Sequence, residues 1–487
     1  MVNMTALRDL SDLIGLGRNA PDGSMRKAVE ALFAERYPKQ TVKEMQVRDA
    51  YALARDDAEG GVPWAGLINP DNPPSGPYGG TSLVWFPGET MSLIGLGVGT
   101  RGISPDEGIL TRPGHRRRVA ALRRLLAKLD TPVWSKSDPS ALGVSVPKTF
   151  TSKLPEFANA FKRYANEMYC VAQVPADPVL AETVVRHFLD LYAYERGWRL
   201  LAAYEPSAVE FLNELRGQLF QIPTIESVAS LLRARRFVIL QGAPGTGKTR
   251  LAGLVKEKAF NDRGSTIQFH PSVTYEDFVI GLSPDPTMGQ LRFEVRPGAL
   301  LEAVDSASKE DFILVIDEIN RADLGKVLGE AIYLFEAGEV GGEHPREVRL
   351  PHKMNGKATL QLPEGLYVLG TMNTADRSIS SLDLAIRRRF AFVTVPPDRA
   401  AIERNAPQEA LAFFDDLADV FVEHAPEEAL DLLPGQAYFF ARDFDEFRPR
   451  VKYELIPLLD DYLRQGLLGP ATAELQAVRD RFEDTVS

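Results

Sequence analysis

One cysteine, Cys170, is all that the 487 residues hold. A disulfide within the chain is therefore excluded, and so is a four-cysteine zinc site. A single thiol fits a reducing compartment, and a cytoplasmic location is expected. The six histidines are scattered with no metal-ligand spacing. No apolar run approaches the roughly 18 residues that a membrane-spanning helix needs, and no membrane contact is expected. The N-terminus lacks the basic stretch followed by a long apolar one that marks a secretory signal. There is no internal repeat and no low-complexity tail. Positive charge is scarce in the second part of the chain. Residues 1–200 carry 25 Lys/Arg against 22 Asp/Glu, a net of +3, and the remainder 31 against 45, a net of −14. The C-terminal part is thus a poor nonspecific nucleic-acid surface as a whole, and a basic docking face belongs in the N-terminal part.

What is present is an ordinary globular balance, 44% hydrophobic and 25% charged, in a length that suits two to four domains. Apolar spacing in MRKAVEALFAERY and VRDAYALARDDA predicts helices before residue 60. The breaker-rich GGVPWAGLINPDNPPSGPYGG is a loop. TSLVWF and TMSLIGLGV read as strands around a turn, with Val84, Phe86, Leu93 and Leu96 as core candidates. HRRRVAALRRLLAKL is an arginine-rich helix, and residues 150–220 read as helical. Near residue 221 the pattern changes. RFVILQ, STIQFH, DFILVID, LYVLGTMN and FAFVTV alternate with helical stretches, which predicts a parallel α/β sheet. After about residue 398 only helices follow. The expected organisation is a mixed α+β N-terminal domain (1–205), a linker (206–223), an α/β nucleotide-binding core (224–397) and a helical lid (398–487).

Four segments carry chemistry. Gly242, Ala243, Pro244, Gly245, Thr246, Gly247, Lys248 and Thr249 form a full phosphate-binding loop between a strand and a helix. Its glycines let backbone N–H groups turn toward phosphate oxygens, and the helix N-terminus adds its dipole. Lys248 supplies a point charge to the β- and γ-phosphates, and Thr249 a hydroxyl to Mg²⁺. DFILVIDEIN ends a strand in two carboxylates: Asp317 suits Mg²⁺, and Glu318 suits a general base for the attacking water. Asn373, in GTMNTADRS, stands at another strand tip where an amide orients that water. LDLAIRRRF ends a helix in Arg387, Arg388 and Arg389. Such arginines either complement the helix dipole or reach a neighbouring subunit's γ-phosphate.

These segments together resemble the AAA+ fold and, more narrowly, the McrB family of modification-dependent restriction systems. The likeness rests on MNTADRS (372–378), IDEINRADLGKVLGE (316–330), FHPSVTYEDFVIG (269–281), GQAYFF (435–440) and VKYELIPLLDDYL (451–463). It covers roughly residues 221–470. It implies an AAA+ P-loop NTPase core with a parallel sheet and a C-terminal helical lid. It implies GTP or ATP as substrate with Mg²⁺ held through Thr249 and Asp317, and Asp317 and Glu318 as the paired acids. Asn373 falls at the sensor position, Asp376 and Arg377 in the same signature, and Arg388 and Arg389 at positions acting in trans. It further implies a hexameric ring and a separate McrC-like nuclease subunit. No nuclease motif is recognised in this chain. Gln436-Ala437 departs from a His-Ser pair common in the family. The stretch 338–365 is expected to form a hairpin insertion. A MoxR-like ATPase that remodels protein complexes is the alternative. In the N-terminal part, Arg116–Arg118 with Arg123 and Arg124 are candidate phosphate contacts for DNA. Trp64, Trp85 and Trp134 are candidates to stack on a flipped base, against the plainer role of core packing.

Overall fold

The computed structural model describes residues 5–21, 23–49, 62–73, 77–89, 91–285, 292–342, 344–354, 356–375 and 384–486. The chain divides into two compact units. One holds Met1–Leu219 with Val422–His424, the other Phe220–Phe421 with Ala425–Ser487. Residues 206–223, expected as a linker, are helical as far as Leu219, within the helix Glu205–Leu219.

The first unit is built on an antiparallel six-stranded sheet. Its strands are β1 (Gln46–Asp49), β2 (Ala65–Ile68), β3 (Thr81–Pro87), β4 (Ser92–Val98), β5 (Val133–Ser135) and β6 (Met168–Val174), in the order β1-β2-β3-β4-β6-β5. Side chains alternate across the sheet with a period of two. Leu83, Trp85, Ile94 and Leu96 face a core shared with the helices Thr5–Gly15, Ser24–Arg36, Pro113–Ala127 and Pro178–Glu195. Val84, Phe86, Leu93 and Val171 face a second core with Phe150, Phe157 and Phe161. The four strand residues expected in a core are all buried, divided between the two faces. Ala65–Ile68, inside the breaker-rich stretch read as a loop, form strand β2 between β1 and β3. Two further expectations fail here. Val47–Asp49, read as the start of a helix, pair with β2 as strand β1. Met168–Val174, read as part of a helical region, form β6 between β4 and β5. In both, sheet pairing and burial override local helical spacing.

The second unit contains a five-stranded parallel sheet. Its strands are β7 (Phe237–Gly242), β8 (Gly264–Gln268), β11 (Phe312–Asp317), β14 (Leu366–Asn373) and β15 (Ala391–Thr394), in the order β15-β7-β14-β11-β8. Between them in sequence lie two antiparallel hairpins, β9 (Ile280–Asp285) with β10 (Arg292–Pro297), and β12 (Val348–Met354) with β13 (Lys357–Leu360). The second is the hairpin expected in 338–365. Phe237, Ile239, Leu314, Ile316 and Val368 are buried on one face of the sheet. Val238, Leu240, Ile313, Val315 and Leu369 are buried on the other. Burial on both faces is why these strands read as continuous apolar runs. Each such side chain removed from water contributes about 1.5–3 kcal/mol. The helices Arg399–Asn405, Gln408–Glu423, Phe444–Arg450, Ile456–Arg464 and Thr472–Val486 follow, as expected for the lid.

Candidate active site

Parallel strands bring their C-terminal ends to one edge, and that edge is where α/β sheets bind ligands. Here β7 pairs with β14 so that Gly242 stands opposite Asn373, and β14 pairs with β11, which ends at Asp317. Three of the motifs are thereby side by side, although 131 residues separate the first from the last in sequence.

The phosphate-binding loop leaves β7 and enters the helix Lys248–Ala259. Gly245 (φ +79°) and Gly247 (φ +87°) hold left-handed backbone, which side chains rarely adopt. Lys248 is 7% exposed. Its Nζ donates to the carbonyls of Gly242 (3.0 Å) and Ala243 (2.7 Å), which leaves one N–H of its three for a ligand. Burial pushes its pKa down to about 8, against a smaller opposing pull from Glu318 and Asp317. Thr246 is buried and donates to the Ala243 carbonyl at 3.1 Å.

The acids lie across the loop. Thr249 Oγ1 donates to Asp317 Oδ1 at 2.9 Å, and Thr371 Oγ1 donates to the same oxygen at 2.5 Å. Glu318 has φ +55°, ψ +46°, a strained conformation for a residue with a side chain. Its N–H donates to Thr371 Oγ1 at 3.1 Å. Its carboxylate accepts from Asn373 Nδ2 at 2.9 and 3.2 Å and from Arg321 Nε at 3.1 Å. Asn373 therefore rests on the carboxylate of Glu318, so any water it orients would share that contact. Asn320, 5% exposed, donates to the Asn373 carbonyl at 3.2 Å.

A cavity of about 1560 Å³ opens over these groups. Gly245, Gly247, Lys248, Thr249, Glu318 and Asn373 line it on the core side, with Arg404, Gln436, Arg442 and Arg450 from the helical segment. Gln436 spans the two sides. Its Nε2 donates to the Thr246 carbonyl (2.9 Å), and its Oε1 accepts from Asp398 N–H (3.1 Å). Gly435 N–H donates to the Pro244 carbonyl (2.9 Å) and Ala437 N–H to that of Gly245 (3.1 Å). A Cβ on Gly435 would lie 2.0 Å from the Gly245 carbonyl carbon, so only glycine fits this approach.

Sequence reasoning missed Thr371, Arg404, Arg442 and Arg450. Thr371 carried a signal, a hydroxyl at the end of an apolar strand. The arginines carried none. In the sequence Gln436 stands out only as a departure from a family pattern, and in the structure it makes the lid contact itself. Asp376 and Arg377 lie outside the described residues.

Arg388 and Arg389 are absent from the described lining of this cavity. Arg388, with its side chain 68% exposed, pairs with Glu336 at 2.7 Å. Arg389, 11% exposed, lies 3.7 Å from the same carboxylate and donates to the Ala385 carbonyl at 2.9 Å. Arg387 stands over the Phe392 ring at 5.5 Å.

Residues 237–390 match the AAA domain of the dynein-related subfamily. Over 264 residues the chain is 31% identical to the type IV methyl-directed restriction enzyme EcoKMcrB subunit of Escherichia coli (strain K12). That match covers 52% of this chain and 57% of the relative. The chain carries a McrB-like AAA domain. It is also 28% identical over 218 residues to the type II restriction enzyme BsuMI component YdiS of Bacillus subtilis (strain 168), covering 38% of this chain and 63% of that protein. A third relative, the uncharacterized protein YehL of Escherichia coli (strain K12), is 26% identical over 212 residues, covering 41% and 53%. The chain thus spans less than two thirds of the length of each of these curated relatives. The AAA+ family implies a nucleotide and usually Mg²⁺. The Thr249 hydroxyl and the Asp317 carboxylate, 2.9 Å apart, are hard oxygen donors of the kind Mg²⁺ takes from protein.

In the first unit the arginine run divides. Arg118 Nε lies 2.6 Å and Arg112 Nη2 2.5 Å from Glu195, with His115 Nδ1 at 3.1 Å. Burial alone would raise the Glu195 carboxyl, and His115 and Arg118 overcome it and hold it well below the usual carboxylate range. Arg118 is therefore an internal ion-pair partner. Arg116 donates to the Ser137 carbonyl at 2.7 Å, and Arg123 and Arg124 are exposed on the same helix. Trp85 belongs to the core, whereas Trp64 and Trp134 are only partly buried against the second core.

Proposed function

We propose that this chain hydrolyses GTP or ATP as the motor subunit of a McrBC-like restriction or anti-phage defence complex. The observation that carries the reading is the Glu318–Asn373 pair on the wall of the cavity that also holds Lys248. A carboxylate held by an amide at 2.9 Å, facing a phosphate-binding loop, is placed to take a proton from an attacking water. Lys248 and the loop N–H groups hold the terminal phosphates, with Gly242 through Thr249 as the cradle. Thr249 and Asp317 hold Mg²⁺, which supplies charge neutralisation to the phosphates when bound. Gln436 closes the helical segment onto the loop. Arg388, exposed and absent from the described lining of its own cavity, is assigned to a neighbour's nucleotide, with Arg389 beside it on the same helix. Such sharing requires a ring, and a hexamer is the assembly proposed.

Two of the relatives are components of restriction enzymes, which supports a restriction role over remodelling of protein complexes. A McrC-like nuclease subunit is the proposed partner, and the N-terminal unit the proposed reader of DNA. The test is to copurify the chain with the product of its genomic neighbour. Hydrolysis of GTP and of ATP is then measured with and without DNA. Stimulation by the partner or by DNA is expected. Hydrolysis that responds to neither, while a bound protein complex is dismantled, would favour the MoxR-like alternative.

A further inference from the structure

Strand β14 holds Glu318 at both ends. Side chains two apart on a strand share a face, so Thr371 and Asn373 project to the same side of β14. Asn373 Nδ2 meets the Glu318 carboxylate at 2.9 and 3.2 Å. Thr371 meets the Glu318 backbone, whose N–H donates to Oγ1 at 3.1 Å. Ile316 of β11 stands opposite Gly370 of β14, and this register carries Thr371 beside the Asp317–Glu318 peptide. Thr371 is 2% exposed and lies in the floor of the nucleotide cavity.

The direction of these bonds is fixed. A hydroxyl has one hydrogen, and an ionised carboxylate only accepts. Thr371 therefore gives its hydrogen to Asp317 Oδ1 (2.5 Å) and keeps its lone pairs for the Glu318 N–H. One side chain thus links the acid suited to the metal with the backbone of the acid suited to be the base. Thr249 donates to the same Asp317 oxygen at 2.9 Å, so two hydroxyls converge on it.

Filling space does not account for this arrangement, because valine, of nearly the same shape and equally suited to a strand, would fill the position as well. The Glu318 backbone adds a second reason. Its left-handed conformation, φ +55° and ψ +46°, persists in a residue with a side chain only where the surroundings over-determine it. Without the Thr371 hydroxyl its N–H loses an acceptor, and the residue can relax to ordinary backbone. That change swings the carboxylate away from Asn373. We infer that Thr371 is a positioning residue for hydrolysis. Its hydroxyl locks the Asp317–Glu318 peptide, which keeps the Glu318 carboxylate on Asn373 beside the phosphate-binding loop and the Asp317 carboxylate turned to Thr249. The assignment rests on the reading of Glu318 as the general base.

The test compares two variants of the full chain: Thr371→Val, which keeps the shape and removes the hydroxyl, and Thr371→Ser, which keeps the hydroxyl. Single-round hydrolysis by the valine variant should fall by about 10²-fold, the cost of misplacing a reacting group by about 1 Å. Mn²⁺ titrated into the complex with a non-hydrolysable triphosphate, and read by electron paramagnetic resonance, should bind about tenfold more weakly. Binding of a nucleoside diphosphate without metal should stay at the parental level, because the loop itself is untouched. Thr371→Ser should return both hydrolysis and metal affinity toward the parental values. In a Glu318→Gln background, Thr371→Val should cost little further turnover, because the group it positions is already lost. Parental turnover by Glu318→Gln would remove the base reading and this role with it. A Glu318→Gln loss beside parental turnover and metal affinity in Thr371→Val overturns the role of Thr371 alone. So does a serine variant as slow as the valine one, or a valine loss that adds in full to that of Glu318→Gln. Should the valine variant not fold, Thr371→Cys, a weak donor of similar size, takes its place in the same comparisons.

Discussion

Nucleotide binding should carry a proton with it at alkaline pH, because of where Lys248 is held. Its side chain is buried between the loop carbonyls and the acids, and burial brings its pKa to about 8 against an ordinary 10.5. The folded state therefore binds this proton less well than the unfolded chain. Below about pH 8 the charged form costs stability, roughly 3 kcal/mol. That cost is relieved as pH rises from about 8 toward 10.5, so the nucleotide-free chain should gain stability across this window. Bound phosphates reverse the balance by favouring the ammonium. At pH 7 about nine-tenths of free chains already carry the proton, and binding should take up about 0.1. At pH 9 only about one-tenth carry it, and binding should take up about 0.9. Affinity should fall by up to about tenfold per pH unit above 8. Calorimetry in buffers of different ionisation enthalpy measures the uptake directly. Lys248→Arg, charged at every pH, should bind more weakly and show no Lys-linked uptake. Equal uptake at pH 7 and pH 9 in the parental chain would refute the reasoning.

Glu318→Gln should keep nucleotide affinity and lower turnover by about 10²–10⁴, as expected for loss of a general base; parental turnover in single-round assays would sink that role. Arg388→Ala should bind nucleotide normally and hydrolyse about 10³-fold more slowly if the arginine acts in trans. Mixing Glu318→Gln chains with chains carrying Arg388→Ala and Arg389→Ala should restore part of the activity. Mixed rings that stay inactive would return both arginines to the plain role of pairing with Glu336. Gln436→Ala removes two hydrogen bonds, one to the loop at the Thr246 carbonyl and one from Asp398 N–H within the helical segment, each worth about 0.5–1.5 kcal/mol. It should weaken nucleotide binding by about tenfold with little change in Tm, and unaltered affinity in an equilibrium titration would remove Gln436 from the site.

The phosphate-binding loop, the acidic pair and the parallel sheet were legible in the amino-acid order because each is a local pattern. The GAPGTGKT stretch needs only its own glycines and the flanking strand and helix, and strands buried on both faces announce themselves as apolar runs. The hairpin within 338–365 and the succession of lid helices were legible for the same reason. What the linear order could not contain is adjacency. Strand order β15-β7-β14-β11-β8 is decided by packing. It alone brings Asn373 onto the Glu318 carboxylate and Thr371 onto Asp317. The strained backbone of Glu318 and the reach of Gln436 to Thr246, 190 residues away, follow from that packing too. In the N-terminal unit, β1 and β6 looked helical by spacing and became strands because neighbouring edges offered hydrogen bonds and burial. The arginine run read as one surface feature, yet Arg118 turns to Glu195, 77 residues distant. Local propensity determines which elements are available. Tertiary contacts decide which polar groups are paired, which are strained and which are left open for a ligand, because those properties belong to pairs of residues rather than to single ones.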